Sequence, residues 1–97
     1  MPAYVIVNVE ISDPTQYDIY KQMAPHSIEA YGGRYLVRGG PVDILEGRWS
    51  PRRMVVLEFP TKRKAHDWWN STEYSDAKAL RNSCAYTEMV VVEGLAR

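Results

Sequence analysis

Residues 54–69 read MVVLEFPTKRKAHDWW, and the change of period at Pro60 decides the fold. Before the proline, Val55, Leu57 and Phe59 alternate with Met54, Val56 and Glu58, the two-residue period of a strand. Pro60 ends that strand. After it, Ala65, Trp68 and Trp69 recur at spacings of three and four, the mark of one helical face. Adjacent helical residues point ~100° apart, so two indoles centred on Ala65 need a broad cover. One tryptophan is expected to pack the helix onto the sheet, and the other to border a cavity or a subunit contact.

Working outward, AYVIVNVEI (3–11) alternates, with Val5, Val7 and Val9 on one face and Tyr4, Ile6, Asn8 and Glu10 on the other. In DPTQ (13–16), Asp13 is placed to cap a helix, Pro14 suits its first position, and Gln16 answers the cap. Tyr17, Tyr20, Ala24, Ile28 and Tyr31 then form an inward stripe to about Ala30. Pro25 interrupts this pattern and is expected to kink or break the helix. Gly32-Gly33 ends it. RYLVRGG reads as a second strand, and VDILEGRWSPRR as a short extended piece within a turn-rich loop. Beyond the tryptophans comes a further helical segment with Tyr74, Ala77, Leu80 and Arg81 on one side, and then a last strand, YTEMVVVEG. The order β-α-β-β-α-β defines an α+β, ferredoxin-like sandwich built on a four-stranded antiparallel sheet.

The 97 residues suit one domain, spanning 1–97, with 45% hydrophobic and 25% charged residues. Twelve basic residues balance twelve acidic ones, so no net field favours nucleic acid or an anionic membrane. A single cysteine, Cys84, excludes an internal disulfide framework and fits a reducing cytoplasm. MPAYVIVNVE lacks a basic region before its short apolar run, and no stretch approaches the ~20 apolar residues of a span, so an unprocessed cytoplasmic protein is expected.

With both helices on one sheet face, Tyr4, Ile6, Met54 and Val56 form an apolar patch on the other that is too large to leave in water. Asn8, Glu10, Glu58, either Glu88 or Glu93, and Arg38 are expected along the same rows. A second copy stacked face to face would cover them as a homodimeric barrel, whose polar interior positions satisfy one another or line a ligand cavity.

Within such a cavity Trp69 and Tyr74 are candidate aromatic walls, approaching each other only if the chain turns near Ser71-Thr72. Arg38, beside Gly39-Gly40, suits an anionic group, or in the plainer reading an internal pair with Glu58 or Glu10. Arg81 is a second anion-binding candidate, or else a surface ion pair on its helix. His26 and His66 can each carry a proton near neutral pH, and His26, beside Pro25, is the preferred catalytic candidate. No Ser-His-Asp or Cys-His spacing accompanies them. Cys84, among apolar neighbours, reads as a buried inert thiol, and Lys62-Arg63-Lys64 as a solvated face.

HSIEAYGGRYLVRGG, RRMVVLEFPTKRKAHDWW, NSTEYSDAKALR and EMVVVEG resemble the DUF1330 family of the dimeric α/β-barrel (ferredoxin-like) superfamily. The resemblance rests on Pro25, the run Gly32 to Gly40, Glu58-Phe59-Pro60, the Trp-x-x-Ser-x-x-Tyr spacing from Trp68, and Arg81. Trp69 stands where relatives look to carry a tyrosine or another aromatic. The resemblance implies a dimer with a cavity in each half and brings no reaction with it.

The expected function is therefore an uncharacterised small-molecule binder, or a cofactor-independent enzyme, acting on a small anionic or aromatic ligand. No bound cofactor or metal is called for. The alternative is a non-catalytic dimeric domain whose interior polar groups set register. RNA binding on the sheet face shares this strand order, but RRMVVLEF lacks the glycines and aromatics of that pattern.

Overall fold

In the computed structural model, which describes residues 1–96, the chain forms β1 (Ala3–Ile11), α1 (Pro14–Ala30), β2 (Arg34–Arg38), β3 (Arg53–Phe59), α2 (Lys62–Trp69), α3 (Thr72–Cys84) and β4 (Ala85–Glu93). The strands lie in the order β2-β3-β1-β4, all pairs antiparallel. This is the ferredoxin-like arrangement, with the second helix of the motif divided in two. No helix among the described residues is long and apolar enough to cross a membrane.

Register decides which side chains share a face. Val5, Val7 and Val9 stand opposite Leu57, Val55 and Arg53 on one side and Val91, Met89 and Thr87 on the other. Val5, Val7, Val9 and Leu57 are at most 3% exposed beneath the helices. Trp68, Tyr74, Phe59 and Ile28 are among the largest fully buried side chains of this layer. Trp68 stacks on Tyr74 at 4.2 Å and on Phe59 at 5.4 Å between ring centroids. Its indole N–H donates to Ser27 Oγ at 3.0 Å, which satisfies the ring's one polar atom inside the core. At Gly33 an added Cβ would sit 2.6 Å from the Phe59 ring, so only glycine lets the chain pass so close.

Each helix begins on a capping side chain, at Asp13 as its sequence implies. Asp13 accepts from the Gln16 N–H, Thr61 from Lys64 and Ser71 from Tyr74, each satisfying an orphan donor of a first turn. Ser71 Oγ also donates to the Trp68 carbonyl at 2.7 Å, so one hydroxyl closes α2 and opens α3. The chain does turn near Ser71-Thr72, the condition for Trp69 to approach Tyr74, but the turn brings Trp68, rather than Trp69, onto Tyr74.

Two local expectations need correction. α1 runs unbroken through Pro25 from Pro14 to Ala30. The proline withholds an N–H from the carbonyl of Lys21, and the Arg38 guanidinium donates to that carbonyl instead. Arg38 also stands on the helix side of the sheet rather than the open side. A bulge at Leu36 lies between the pairs Tyr35–Leu57 and Val37–Val56, and the extra residue turns Arg38 opposite Val55.

The open face carries Tyr4, Ile6, Met54 and Val56, with the exposed Tyr86, Val90 and Val92 beside them on β4. Asn8 pairs with Glu88 in register, so Glu88 shares this face, whereas Glu93 lies opposite Ala3 on the helix side. The Cα atoms span 16 Å along the thinnest axis, about one sheet and one helix layer.

Candidate functional site

A groove of about 470 Å³ lies between α2, the end of α3 and β4, within the size range of small-molecule sites. His66, Trp69 and Asn70 project into it from the last turn of α2 and its cap, and Arg81 and Asn82 from α3. Val5, Met89 and Val91 make an apolar floor with Thr87. Trp69 is 43% exposed, and the Lys78 ammonium sits 3.7 Å from its ring centroid while donating to its carbonyl. That cation holds the indole in place.

Trp68, Arg81 and Met89 form a partition, lining both this groove and a second, smaller chamber beneath α1. The chamber has about 30 Å³ of free space, room for one or two waters. Tyr17, Tyr20, Tyr35, Arg38 and Arg53 surround it. Arg81 is 5% exposed, and its Nε donates to Tyr74 Oη at 3.3 Å. Tyr74 Oη in turn lies 2.8 Å from Tyr20 Oη, so a guanidinium and two phenols form one chain.

Arg53 extends over the Tyr17 ring at 5.6 Å. An added Cβ at Gly39, where φ is +75°, would stand 2.6 Å from the Arg53 Cζ. Gly39 thus makes room for the guanidinium, in a conformation that glycine adopts without strain. Two buried side-chain polar atoms lack a partner among the described residues, Arg53 Nε and Thr87 Oγ1. Arg53 lines the inner chamber and Thr87 the outer groove.

The electrostatics are one-sided. The ion pairs among the described residues join Lys21 to Asp18 and Arg34 to Glu58, and none reaches Arg38, Arg53 or Arg81. Burial raises Tyr20, Tyr17 and Tyr35 above the ordinary tyrosine value, with Arg53 partly offsetting the effect at Tyr17 and Arg38 at Tyr35. These phenols therefore stay neutral and supply no counter-charge. Burial likewise pushes the Cys84 thiol up.

Of the residues singled out in the sequence, the structure brings Trp69 and Arg81 together on the groove and places Arg38 on the inner chamber. Arg38 lies over the Tyr35 ring at 4.5 Å and does not pair with Glu58, which Arg34 meets at 2.7 Å on the open face. Tyr74 is fully buried behind the partition and borders neither cavity wall. His26 is exposed on α1, away from both cavities, and His66 is the histidine in the groove. His66, Trp69 and Asn70, at i, i+3 and i+4, already shared a helical face in the sequence. Arg53 carried no such signal, because its role depends on a close approach by Gly39, in the bend that follows β2.

The sequence profile described as "Domain of unknown function (DUF1330)" matches residues 2–95, and the chain belongs to that family. A protein of unknown function from Rhodopseudomonas palustris superposes with a TM-score of 0.78 at 16% identity, over 99% of this chain and 84% of that one. A dimeric ferredoxin-like protein of unknown function from Jannaschia sp. CCS1 gives 0.66 at 14% identity, covering 97% and 100%. SnoaB, a cofactor-independent oxygenase from Streptomyces nogalater, gives 0.68 at 6% identity, covering 99% and 95%. No curated protein matches the chain at a significant level. At these identities the likeness to solved structures is one of fold.

Proposed function

We propose that the protein is a homodimeric small-molecule-binding protein of the reducing cytoplasm, and that its ligand lies in the groove between α2, α3 and β4. The observation that carries this reading is the partition: a nearly buried Arg81, bonded to Tyr74 but without a counter-charge among the described residues, beside Trp68 and facing a groove of about 470 Å³. Keeping such a cation out of water is costly without a partner, and a bound ligand can be that partner. Trp69 offers an aromatic surface to the same molecule and His66 a group able to carry a proton.

Dimerisation is supported by the open face, where the register neighbours Ile6 and Val90, and Tyr4 and Val92, form an apolar patch. The dimeric state of the Jannaschia protein agrees with it. Two such faces stacked together close a barrel. Native mass spectrometry of gently purified protein tests both parts. A dimer of twice 11.2 kDa carrying extra mass is expected, and an empty monomer would contradict both.

Catalysis without a cofactor is the second reading, favoured by the likeness in fold to SnoaB and by His66 in the groove. A His66→Ala variant that binds the retained molecule but leaves it unchanged would support it.

A further inference from the structure

We propose that the chamber beneath α1 is an oxyanion site, in which Arg53 and Arg81 hold the carboxylate or enolate oxygen of a ligand whose apolar body lies in the groove. The proposal rests on the groove being a binding site and names the class of molecule that enters it.

Charge is the first support. Arg38, Arg53 and Arg81 converge on one small space, no carboxylate lines it, and no ion pair among the described residues reaches any of the three. Arg38 is exposed and Arg53 partly buried, but Arg81 is 5% exposed, and a cation kept that far from water is costly without a counter-charge. The surrounding tyrosines keep their protons through burial, so the lining itself supplies no negative charge to the three arginines.

Unused donors are the second. Arg53 Nε is sealed from solvent without a partner, and the terminal nitrogens of Arg81 have none among the described residues. A guanidinium offers several N–H groups in a fixed fork that matches two oxygens of one anion. Arg53 is also held by design of the chain, since Gly39 leaves the space it fills and Tyr17 supports its flat face.

Size is the third. About 30 Å³ is of the order of a small acidic head, while the adjoining 470 Å³ groove, floored by Val5, Met89 and Val91, suits an aromatic or branched apolar body. Met89, flexible and shared by both spaces, is the part of the partition able to yield between them.

The test is an NMR titration of the full chain at constant ionic strength, reading the arginine Nε–H and tryptophan indole resonances. The probes are benzoate, its neutral isostere benzamide, and acetate, which is the head without a body. Benzoate is expected to shift Arg53, Arg81 and Trp69 saturably and to bind about tenfold or more tightly than either other probe. Arg53→Met and Arg81→Met should each remove the preference over benzamide. If Trp69 responds while both arginines stay still, or benzamide binds as well as benzoate, the groove remains a binding site and the oxyanion site is wrong. Acetate binding as tightly as benzoate would overturn the two-part ligand. No response from any of the three residues up to the solubility of the probes would overturn the groove and the oxyanion site together.

Discussion

The guanidinium of Arg38 donates to the carbonyl of Lys21, the acceptor that Pro25 leaves without its helical donor. A proline one turn on removes an N–H from α1, and an arginine from a neighbouring strand replaces it. The bulge at Leu36 is what makes this possible, by turning Arg38 to the helix side. Helix, bulge and chamber wall are thus linked through one hydrogen bond.

That link predicts coupling. Arg38→Met should destabilise the protein by about 1 kcal/mol, the usual worth of such a bond. In a Pro25→Ala background, where residue 25 again supplies an N–H, the same change should cost measurably less. Urea denaturation of the four proteins gives the coupling energy, and additive effects would show that the two positions act independently.

The two tryptophans should separate cleanly. Trp68→Ala removes a ring packed on Tyr74 and Phe59 and is expected to cost ~3–5 kcal/mol. Trp69→Ala, at a half-exposed site, should change stability by less than ~1 kcal/mol and chiefly weaken ligand binding. Thermal melts paired with binding to the retained molecule check both.

Alkaline stability follows from the buried phenols. The folded values of Tyr17, Tyr20 and Tyr35 lie above the ordinary 10.0, so the folded state holds protons that the unfolded chain releases. The stabilisation is therefore complete below about pH 10 and is lost as the pH rises from there toward the folded values. Absorbance titration of tyrosinate should show part of the seven tyrosines ionising only as the protein unfolds. Ordinary titration of all seven in the native state would disprove it.

Arg81→Met should behave unlike a usual core substitution. Replacing a buried cation that lacks a counter-charge with an apolar chain of similar volume is expected to leave stability unchanged or raise it by up to ~2 kcal/mol in buffer without carboxylate anions. Tyr74 keeps its bond to Tyr20 in that variant. A large loss of stability would mean that Arg81 is structural.

The open face can be tested at Ile6 and Val90, which are opposite one another in register. The double variant Ile6→Asp, Val90→Asp places like charges in the middle of the proposed interface. Sedimentation velocity at micromolar concentration should then show monomer, with the helical circular dichroism kept. A persistent dimer would locate the contact elsewhere.

Periodicity determined the order of elements and the buried sets Val5, Val7, Val9 and Leu57, Phe59, and the DPTQ pattern the cap at Asp13. Those properties are local, each set by residues within a turn or a strand of one another. The sequence also marked Trp69 and Arg81, because helical spacing puts them on definite faces. What only the tertiary structure decided was where those faces meet. A one-residue bulge moved Arg38 to the other side of the sheet, Gly39 made space for Arg53, and the break at Asn70–Ser71 gave Trp68 to the core and Trp69 to the groove. Such outcomes depend on register and close approach between distant segments, and a shift of one residue reverses them.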